Sequence, residues 1–348
     1  MNKVLVLGNY GSYKTLVGGQ IARTHNVNKL IEENKKGLIV RQFDIQKLYV
    51  KKLSLLELIR QLYWCDKLIY LPGVANLKYL YPIIGSVKAV KDFSIIHVAI
   101  GGWLCDFLQK NKRFIKRINT FSVVLVQTQD LKRNLIEGFD FDNITYFPNF
   151  RITAYKPSFK EVLTFNEERP LKIVFMARVT LTKGIDVLFD VARYIQQSSK
   201  YCKSITIDFY GPIEEKDKEY FEAHLALYDF ISYKGIAESD KVHATLGEYD
   251  VLLLPTRHEG EGFPGTILDA YLSGIPVIVS EWKFLPEFVD QNQTGFICKL
   301  GDNSGFYNKV IQLYENPSQL CEMKRNAYEK SHEYSKDIAW DILKPYIA

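Results

Sequence analysis

Short apolar runs alternate along the chain with longer segments of helical periodicity. Five runs lie in the first part of the chain, at Val4–Leu7, Leu38–Phe43, Lys67–Leu71, Ile95–Ile100 and Val123–Gln127. Four more follow, at Ile173–Met176, Ile205–Tyr210, Val251–Leu254 and Val277–Ser280. Continuous apolar strands separated by helices are typical of parallel sheets covered on both faces. The pattern therefore predicts an α/β fold in which a Rossmann-like, doubly wound sheet occurs twice.

A polar segment separates the two sets of strands. It is rich in Glu and Lys, has Pro157 near one end and Pro170 at the other, and precedes a new strand at Leu171. Such composition is typical of a linker between domains. We therefore expect an N-terminal domain, a linker, a C-terminal domain and a last helix of undetermined packing, at residues 1–155, 156–170, 171–333 and 334–348.

Composition narrows the class of protein. The 348 residues are 47% apolar and 24% charged, which favours two folded domains over disorder. The five cysteines are scattered and form no C-x-x-C pair, and the six histidines lack metal-ligand spacing. The first apolar run predicts a strand rather than a signal peptide, and no run reaches the roughly 18 apolar residues of a spanning helix. We expect a cytoplasmic protein without metal or other cofactor.

Charge is distributed unevenly. Residues 1–155 carry a net charge of +12 and residues 156–348 one of −7. The segment 106–121 combines five Lys and Arg residues with an apolar side formed, at helical spacing, by Phe107, Phe114, Ile118 and Phe121. A basic amphipathic helix can lie on an anionic membrane, so the protein would be peripheral on its inner face. Alternatively the apolar side packs on the first sheet and the basic face is simply solvated.

One glycine-rich acidic loop carries the clearest chemical signal. A strand ends at Pro255, the sequence His258-Glu-Gly-Glu-Gly-Phe-Pro264 follows, and a helix is predicted from about Thr266 to Ser273. The loop brings backbone N–H groups and a helix N-terminus to the carboxyl edge of a sheet, where α/β proteins bind phosphorylated ligands. Glycines allow the backbone to approach a ligand closely. The glycines of this loop are Gly260, Gly262 and Gly265.

Two carboxylates eight residues apart flank this loop. Glu261 lies among the glycines, and Asp269 falls near the end of the first helical turn. A carboxylate in the position of Asp269 can accept both hydroxyl groups of a ribose. The alternatives are that Asp269 only stabilises the helix dipole and that Glu261 is an exposed loop charge.

The segment resembles the E-x7-E signature of glycosyltransferase family 4, a retaining family with the GT-B fold. The resemblance implies two Rossmann-like domains facing across a cleft, with Glu261 on the transferred sugar and Asp269 on the donor ribose. It places Gly262, Phe263, Gly265 and Thr266 in the donor site. Asp269 replaces the usual Glu and is one methylene shorter, and Pro264 stands where many members have Gly.

Further matches to the family occur in order along the chain. Phe175-Met-Ala-Arg178 and Lys183-Gly184 resemble its diphosphate-binding segment, in which Arg178 and Lys183 would clamp the leaving group. Two fixed cations stabilise the charge that a departing diphosphate gains in the transition state. The alternative is a solvated loop with two ordinary cations. Gly211 matches a strand-end loop of the donor site, and the sequence at 147–149 matches a Pro-Asn turn before the linker.

In the first half the resemblance is looser. Gly18-Gly19 precedes a helical pattern and resembles the glycine pair that approaches the donor. Its distance from the first strand does not fit a G-x-G-x-x-G dinucleotide fingerprint. In the family a histidine comparable to His97 contacts the donor sugar, whereas a lone histidine in an apolar strand is also common in a core.

The expected activity is therefore metal-independent transfer of a hexosyl group with retention of configuration. The donor would be a UDP- or GDP-sugar and the acceptor a glycan or lipid-linked glycan, as in bacterial surface-polysaccharide synthesis. We expect no nucleic-acid partner. The alternatives are a GT-B-fold epimerase or phosphorylase and a non-catalytic partner of another transferase; the charged residues Arg178, Lys183, Glu261 and Asp269 argue against the last.

Overall fold

A computed structural model of the chain describes residues 2–13, 18–51, 53–157 and 170–347. It divides into two compact units. Unit 1 comprises Met1–Ile152, Gly260–Phe263 and Tyr334–Ala348, and unit 2 comprises Thr153–Glu259 and Pro264–Glu333. Residues 158–169 of the expected linker lie outside the described residues.

Unit 1 is built on a six-stranded parallel sheet of order β2-β1-β3-β4-β5-β6. The strands are β1 Asn2–Gly8, β2 Leu38–Asp44, β3 Lys67–Tyr70, β4 Ser94–Val98, β5 Val123–Val126 and β6 Ile144–Tyr146. The helices between them are α1 Gly19–Glu33, α2 Lys47–Val50, α3 Ser54–Trp64, α4 Val74–Val90, α5 Leu104–Lys110, α6 Ile115–Ile118 and α7 Gln129–Phe139.

Unit 2 repeats this architecture with a second parallel sheet of order β12-β11-β10-β7-β8-β9. Its strands are β7 Leu171–Met176, β8 Ile205–Tyr210, β9 Ile231–Tyr233, β10 Val251–Leu254, β11 Val277–Ser280 and β12 Gly295–Cys298. Its helices are α8 Ile185–Gln196, α9 Lys218–Leu225, α10 Val242–Gly247, α11 Gly265–Leu272, α12 Asn303–Glu315 and α13 Pro317–Ser331. The predicted α/β class with two parallel sheets is confirmed, and every predicted apolar run overlaps a strand.

The last helix, α14 (Lys336–Ile347), belongs to unit 1. Ala339, Leu343 and Ile347 join the same apolar cluster as the strands of the first sheet. An ion pair of 2.9 Å between Lys336 Nζ and Glu33 Oε2 fastens it to α1. The chain thus returns to its first sheet after completing the second. No helix among the described residues is long and apolar enough to cross a bilayer.

The basic segment 106–121 is not one amphipathic helix. Helix α5 ends at Lys110, a 3-10 turn spans Lys112–Phe114, and α6 adds a single turn. The four apolar side chains that were expected on one face are all buried, at Phe107, Phe114, Ile118 and Phe121. The interpretation of this segment as a membrane-binding helix is therefore wrong, because its apolar side chains form part of the core of unit 1.

Candidate active site

In unit 2 the loops that follow β7 and β10 come together at the carboxyl edge of the sheet. The Thr266 hydroxyl, in the first turn of α11, donates to the carbonyl of Met176, the last residue of β7, at 2.7 Å. Gly184 has φ +86°, and a Cβ there would overlap the carbonyl of Pro255 at the end of β10. Pro255 after β10, the Lys183-Gly184 turn and the N-terminus of α11 thus lie at one edge of the second sheet.

The loop between β7 and α8 carries both predicted phosphate-binding cations. Arg178 is exposed and forms an ion pair of 2.6 Å with Glu214. Lys183 is half-buried and ends a 3-10 turn that spans Leu181–Lys183. Buried Asp217 accepts hydrogen bonds from the Thr180 hydroxyl and from the Leu181 backbone N–H, the latter at 3.0 Å. Asp217 therefore fixes the loop from which both cations project.

A third cation, which the sequence analysis did not single out, lies beside this loop. Arg257 follows β10 and forms two hydrogen bonds of 3.0 Å to the carboxylate of Asp186 in α8. Its backbone N–H donates to the carbonyl of Thr182 at 2.9 Å. This fork geometry holds the segment after β10 against the Lys183 turn. A basic residue directly after a strand of the donor motif was the signal that could have identified it.

Asp269 is held by a histidine that sequence reasoning missed. Asp269 lies in α11, and its Oδ1 is 3.1 Å from Nε2 of His243 in α10. The other ring nitrogen of His243 is 3.3 Å from the Thr153 hydroxyl, and the ring stacks on Tyr155 at 5.8 Å between centroids. His243 is 26 residues from Asp269 along the chain. No short motif connects them, so only the fold reveals the pair.

His243 has a polar partner at each ring nitrogen. The Thr153 oxygen, which also accepts the backbone N–H of Tyr155 at 3.0 Å, lies at Nδ1, and the Asp269 carboxylate lies at Nε2. A ring held on both sides fixes the direction of the carboxylate that it contacts.

Gly211 has a structural reason for being glycine. Its φ is +134°, and a Cβ at this position would overlap the carbonyl of Ala177. Its carbonyl accepts the hydroxyl of Tyr233 at 2.8 Å, and its N–H donates to Gly235 at 2.8 Å. The close approach of β7 to the loop after β8 therefore accounts for this glycine.

The loop Gly260–Phe263 belongs to unit 1, whereas Asp269 belongs to unit 2. Glu261 is buried, and a Cβ on the neighbouring Gly262 would come within 2.9 Å of the Gly101 backbone. The carbonyl of Phe263 accepts Nδ2 of Asn149 at 2.9 Å, and its ring packs edge-on against Tyr334 at 4.8 Å. Glu261 is thus a buried side chain in a tightly fixed loop, not an exposed loop charge.

Gly18 and Gly19 start α1, and a Cβ at either position would meet no atom within 4 Å. Residues 14–17, just before them, lie outside the described residues. Packing among the described residues of unit 1 therefore gives no reason for glycine at either position. The open space is compatible with the expected approach of a ligand to the start of this helix.

His97 is a core residue and not an accessible site residue. It is fully buried in β4 between the rings of Tyr70 and Phe121, with centroids 6.1 and 5.5 Å away. Neither ring nitrogen has a hydrogen-bond partner among the described residues. Burial lowers the pKa of His97 to about 3, so the ring is neutral near pH 7. The expectation that His97 contacts the donor sugar is therefore corrected, because the side chain is enclosed in the core of unit 1.

Unit 1 has a cavity of about 340 Å³ near the carboxyl ends of β1 and β2. Asp44 anchors it by accepting the backbone N–H groups of Tyr10 and Ser12, at 3.3 and 3.0 Å. Aromatic, amide and charged side chains line it together, at Tyr10, Ser12, Tyr13, His25, Gln42, Phe43, Asp44, Lys47 and Glu57. This mixture of ring faces and hydrogen-bonding groups suits a polyhydroxylated ligand. No group of three or more His, Cys, Asp or Glu side chains in the described ranges is placed to hold a metal ion.

The geometry of unit 2 agrees with a comparison to known families. Residues 170–316 match the family model of the glycosyl transferases group 1. The amylovoran biosynthesis glycosyltransferase AmsK of Erwinia amylovora is 29% identical over 180 residues, which are 50% of this chain and 44% of AmsK. The poly(ribitol-phosphate) alpha-N-acetylglucosaminyltransferase of Staphylococcus aureus is 25% identical over 250 residues, 70% of this chain and 47% of that protein. The chain thus spans less than half the length of these relatives.

Solved structures extend the likeness to both sheets. The crystal structure of HepE from Anabaena in complex with UDP and glucose superposes with a TM-score of 0.72. It is 16% identical, and the superposition covers 99% of each chain. At this identity the likeness concerns the fold. Residues 170–316 therefore resemble the glycosyl transferases group 1, and the two sheets have the fold of the GT-B glycosyltransferases.

Proposed function

We propose that the protein transfers a sugar from a UDP- or GDP-sugar to a glycan or lipid-linked acceptor in the synthesis of a surface polysaccharide. The observation that supports this proposal is that the loop carrying Arg178 and Lys183 lies beside the start of α11 at the carboxyl edge of the second sheet. One of the relatives named above is an amylovoran biosynthesis glycosyltransferase and another a poly(ribitol-phosphate) alpha-N-acetylglucosaminyltransferase, and HepE was crystallised with UDP and glucose.

In this proposal the diphosphate lies at the N-terminus of α11 and is stabilised by Arg178 and Lys183. Arg178 exchanges its surface partner Glu214 for the phosphate, which costs little because an exposed ion pair is weak. Glu261 contacts the transferred sugar and Asp269 accepts the ribose hydroxyls. Gly265 and Thr266 offer the first backbone N–H groups of the helix to the phosphates.

His243 is the positioning residue for Asp269. The shorter Asp side chain has less reach than Glu, so a fixed direction matters more for bonding two ribose hydroxyls. Losing a hydrogen bond to a polar group costs on the order of 1–3 kcal/mol. We expect Asp269→Ala and His243→Leu to raise the KM for the donor and to leave kcat nearly unchanged. His243→Gln, which keeps an N–H donor, should retain most of the affinity.

The deciding measurement compares calorimetric affinities for UDP and 2′-deoxy-UDP, together with the corresponding guanosine pair. The wild-type protein should prefer the ribose form, and His243→Leu should lose that preference while keeping its affinity for the deoxy form. If the wild-type protein binds none of these nucleotides, the proposed donor is wrong. If only Asp269→Ala removes the preference, the role of His243 is wrong and the donor site stands.

Two further features belong to the proposal. Retention of configuration is expected from the family resemblance, and NMR of the product would show an inverted anomer if it is wrong.

Two cations and a helix N-terminus can stabilise a diphosphate without a metal ion. Turnover should therefore survive EDTA; its loss on EDTA treatment and recovery with Mg²⁺ or Mn²⁺ would contradict this expectation.

A further inference from the structure

Arg23 is a fully buried cation in the core of unit 1. It belongs to α1, and its Nη1 and Nη2 donate to the carbonyls of Pro148 and Phe147, at 2.7 and 2.9 Å. Its guanidinium lies over the rings of Phe147 and Phe150. Burial lowers the pKa of Arg23 to about 9, so the group remains charged near pH 7. The oxygens that accept its hydrogen bonds among the described residues include no carboxylate.

Stability alone does not account for this arginine. Moving a cation out of water is costly, and carbonyl oxygens offset that cost only in part. The Nε of Arg23 also lacks a hydrogen-bond partner among the described residues, which adds to the cost. An apolar side chain of similar length would fill the same space beside the two phenylalanine rings. What the guanidinium adds is a rigid fork of N–H donors.

These donors orient the side-chain amide of Asn149. Two bonds from Arg23 hold the carbonyls just before Asn149, and a third, of 3.4 Å, runs from Nη1 to its Oδ1. The Nδ2 of Asn149 donates to the carbonyl of Phe263 at 2.9 Å. A guanidinium only donates and a carbonyl only accepts, so these two neighbours allow one orientation of the amide. Arg23 therefore directs the N–H of Asn149 toward Phe263.

The loop that carries Glu261 is anchored on both sides within unit 1. Before Glu261, the carbonyl of Gly260 accepts the N–H of Gly102 at 3.3 Å. After it, the carbonyl of Phe263 accepts the amide of Asn149. Glu261 itself is buried between these two points. The direction of its carboxylate therefore depends on both anchors, and Arg23 with Asn149 provides the second one.

We propose that Arg23 is a positioning residue for Glu261, acting through Asn149 and the carbonyl of Phe263. The inference deepens the proposed function and rests on it for the role of Glu261 on the transferred sugar. Loss of the anchor should displace the carboxylate, and a misplacement of about 1 Å can cost a hundredfold in rate.

The variant Asn149→Asp separates positioning from stability. Its carboxylate gives Arg23 an acidic partner but has no N–H for the carbonyl of Phe263. The ion pair that is gained offsets the hydrogen bond that is lost, so the Tm should stay close to that of the wild-type protein. We expect faster hydrogen exchange at the backbone N–H groups of residues 260–263. We also expect kcat to fall roughly 10–10²-fold, with nucleotide affinity unchanged.

Variants of Arg23 test the first step of the chain of contacts. Arg23→Met should speed exchange in residues 260–263 and lower kcat as Asn149→Asp does. Arg23→Lys keeps the charge without the forked donors and should give an intermediate effect on both. If Arg23→Met does not fold, Arg23→Lys and Asn149→Asp still decide the question.

A double-mutant cycle tests whether the effect passes through Glu261. In a Glu261→Gln background, Asn149→Asp should lower kcat by less than about twofold, because the group that it positions is already lost. Fully additive losses would overturn the proposal, since they would show an effect on transfer by another route.

Asn143→Asp is the matched control. Asn143 is another asparagine of unit 1, and its Nδ2 donates to the carbonyls of Ile118 and Phe121 at 3.1 and 2.9 Å. This variant should leave both kcat and the exchange of residues 260–263 unchanged.

Unchanged exchange at residues 260–263 in the Arg23 and Asn149 variants would overturn the anchor, and unchanged kcat would overturn its role in positioning. Absence of transfer by the wild-type protein is a separate failure. It would reject the proposed function and with it the role of Arg23 in transfer, whereas the exchange rates would still show whether Arg23 holds the loop.

Discussion

The two units share one architecture but use their surfaces differently. In unit 2 the loops at the carboxyl edge of the sheet bring cations close to a helix N-terminus. Arg178, Arg257 and Asp269 there each have a side-chain partner. In unit 1 His97 of the central strand β4 is fully buried in the core, while α3 exposes leucines and one tyrosine. The same architecture thus carries a cluster of charged and polar groups at the sheet edge of one unit and an exposed apolar helix face in the other.

The largest expected effect tests whether unit 2 carries the chemistry. Lys183→Ala should lower kcat for transfer roughly 10²–10³-fold, the scale for removing one preorganised charge stabiliser, and Arg178→Ala should do the same. Initial rates with a saturating donor measure the loss. Lys200→Ala is the matched control, because Lys200 is an exposed lysine of the same unit paired with Glu315. Similar rates for Lys183→Ala and Lys200→Ala would remove the diphosphate role from the β7–α8 loop.

A second pair of variants compares the role of one glycine in each unit. Gly211→Ala in unit 2 should lower the free energy of unfolding by more than about 1 kcal/mol. The backbone φ is unfavourable for alanine, and the added Cβ would overlap the carbonyl of Ala177. Gly19→Ala in unit 1 should fold as well as the wild-type protein or better, since the space is open and alanine favours helix.

Thermal unfolding and transfer rates together separate the two roles. A stable Gly19→Ala protein with impaired transfer would support ligand approach at α1, whereas a stable and fully active one would exclude it. If Gly211→Ala unfolds at the wild-type temperature, the packing explanation for Gly211 fails.

The smallest effect concerns His97 and depends on pH. Its pKa is about 3 in the folded chain against an ordinary 6.5, so between these values the unfolded state binds more protons and stability falls as the pH is lowered. From pH 6.5 to pH 5 this loss amounts to about 1.6 kcal/mol. His97→Leu should remove it, and should also stabilise the fold at pH 8 by eliminating two unsatisfied nitrogens. Urea unfolding at both pH values measures the change. Exposed His332→Gln serves as the control, and an unchanged pH slope in His97→Leu would refute the argument.

Strand prediction missed three short edge strands, although the longer edge strand β2 was predicted. The three strands without a predicted run, β6, β9 and β12, are three or four residues long and lie at the edge of their sheets. An edge strand pairs on one side only and needs no long apolar run, so its pattern is weak. The break of segment 106–121 at Asn111 was equally hidden, because its apolar spacing fits a helix and a broken turn alike.

Periodicity and glycine spacing are local properties of a chain, so the two parallel sheets and the order of residues in the glycine-rich loop could be predicted. Which side chains contact one another depends on the folded arrangement. It enclosed His97, paired Asp269 with His243, returned α14 to the first sheet and left α3 with an exposed apolar face. Each of these outcomes depends on contacts between residues far apart in sequence, and burial and hydrogen-bond partners are set by those contacts, not by the residue types alone.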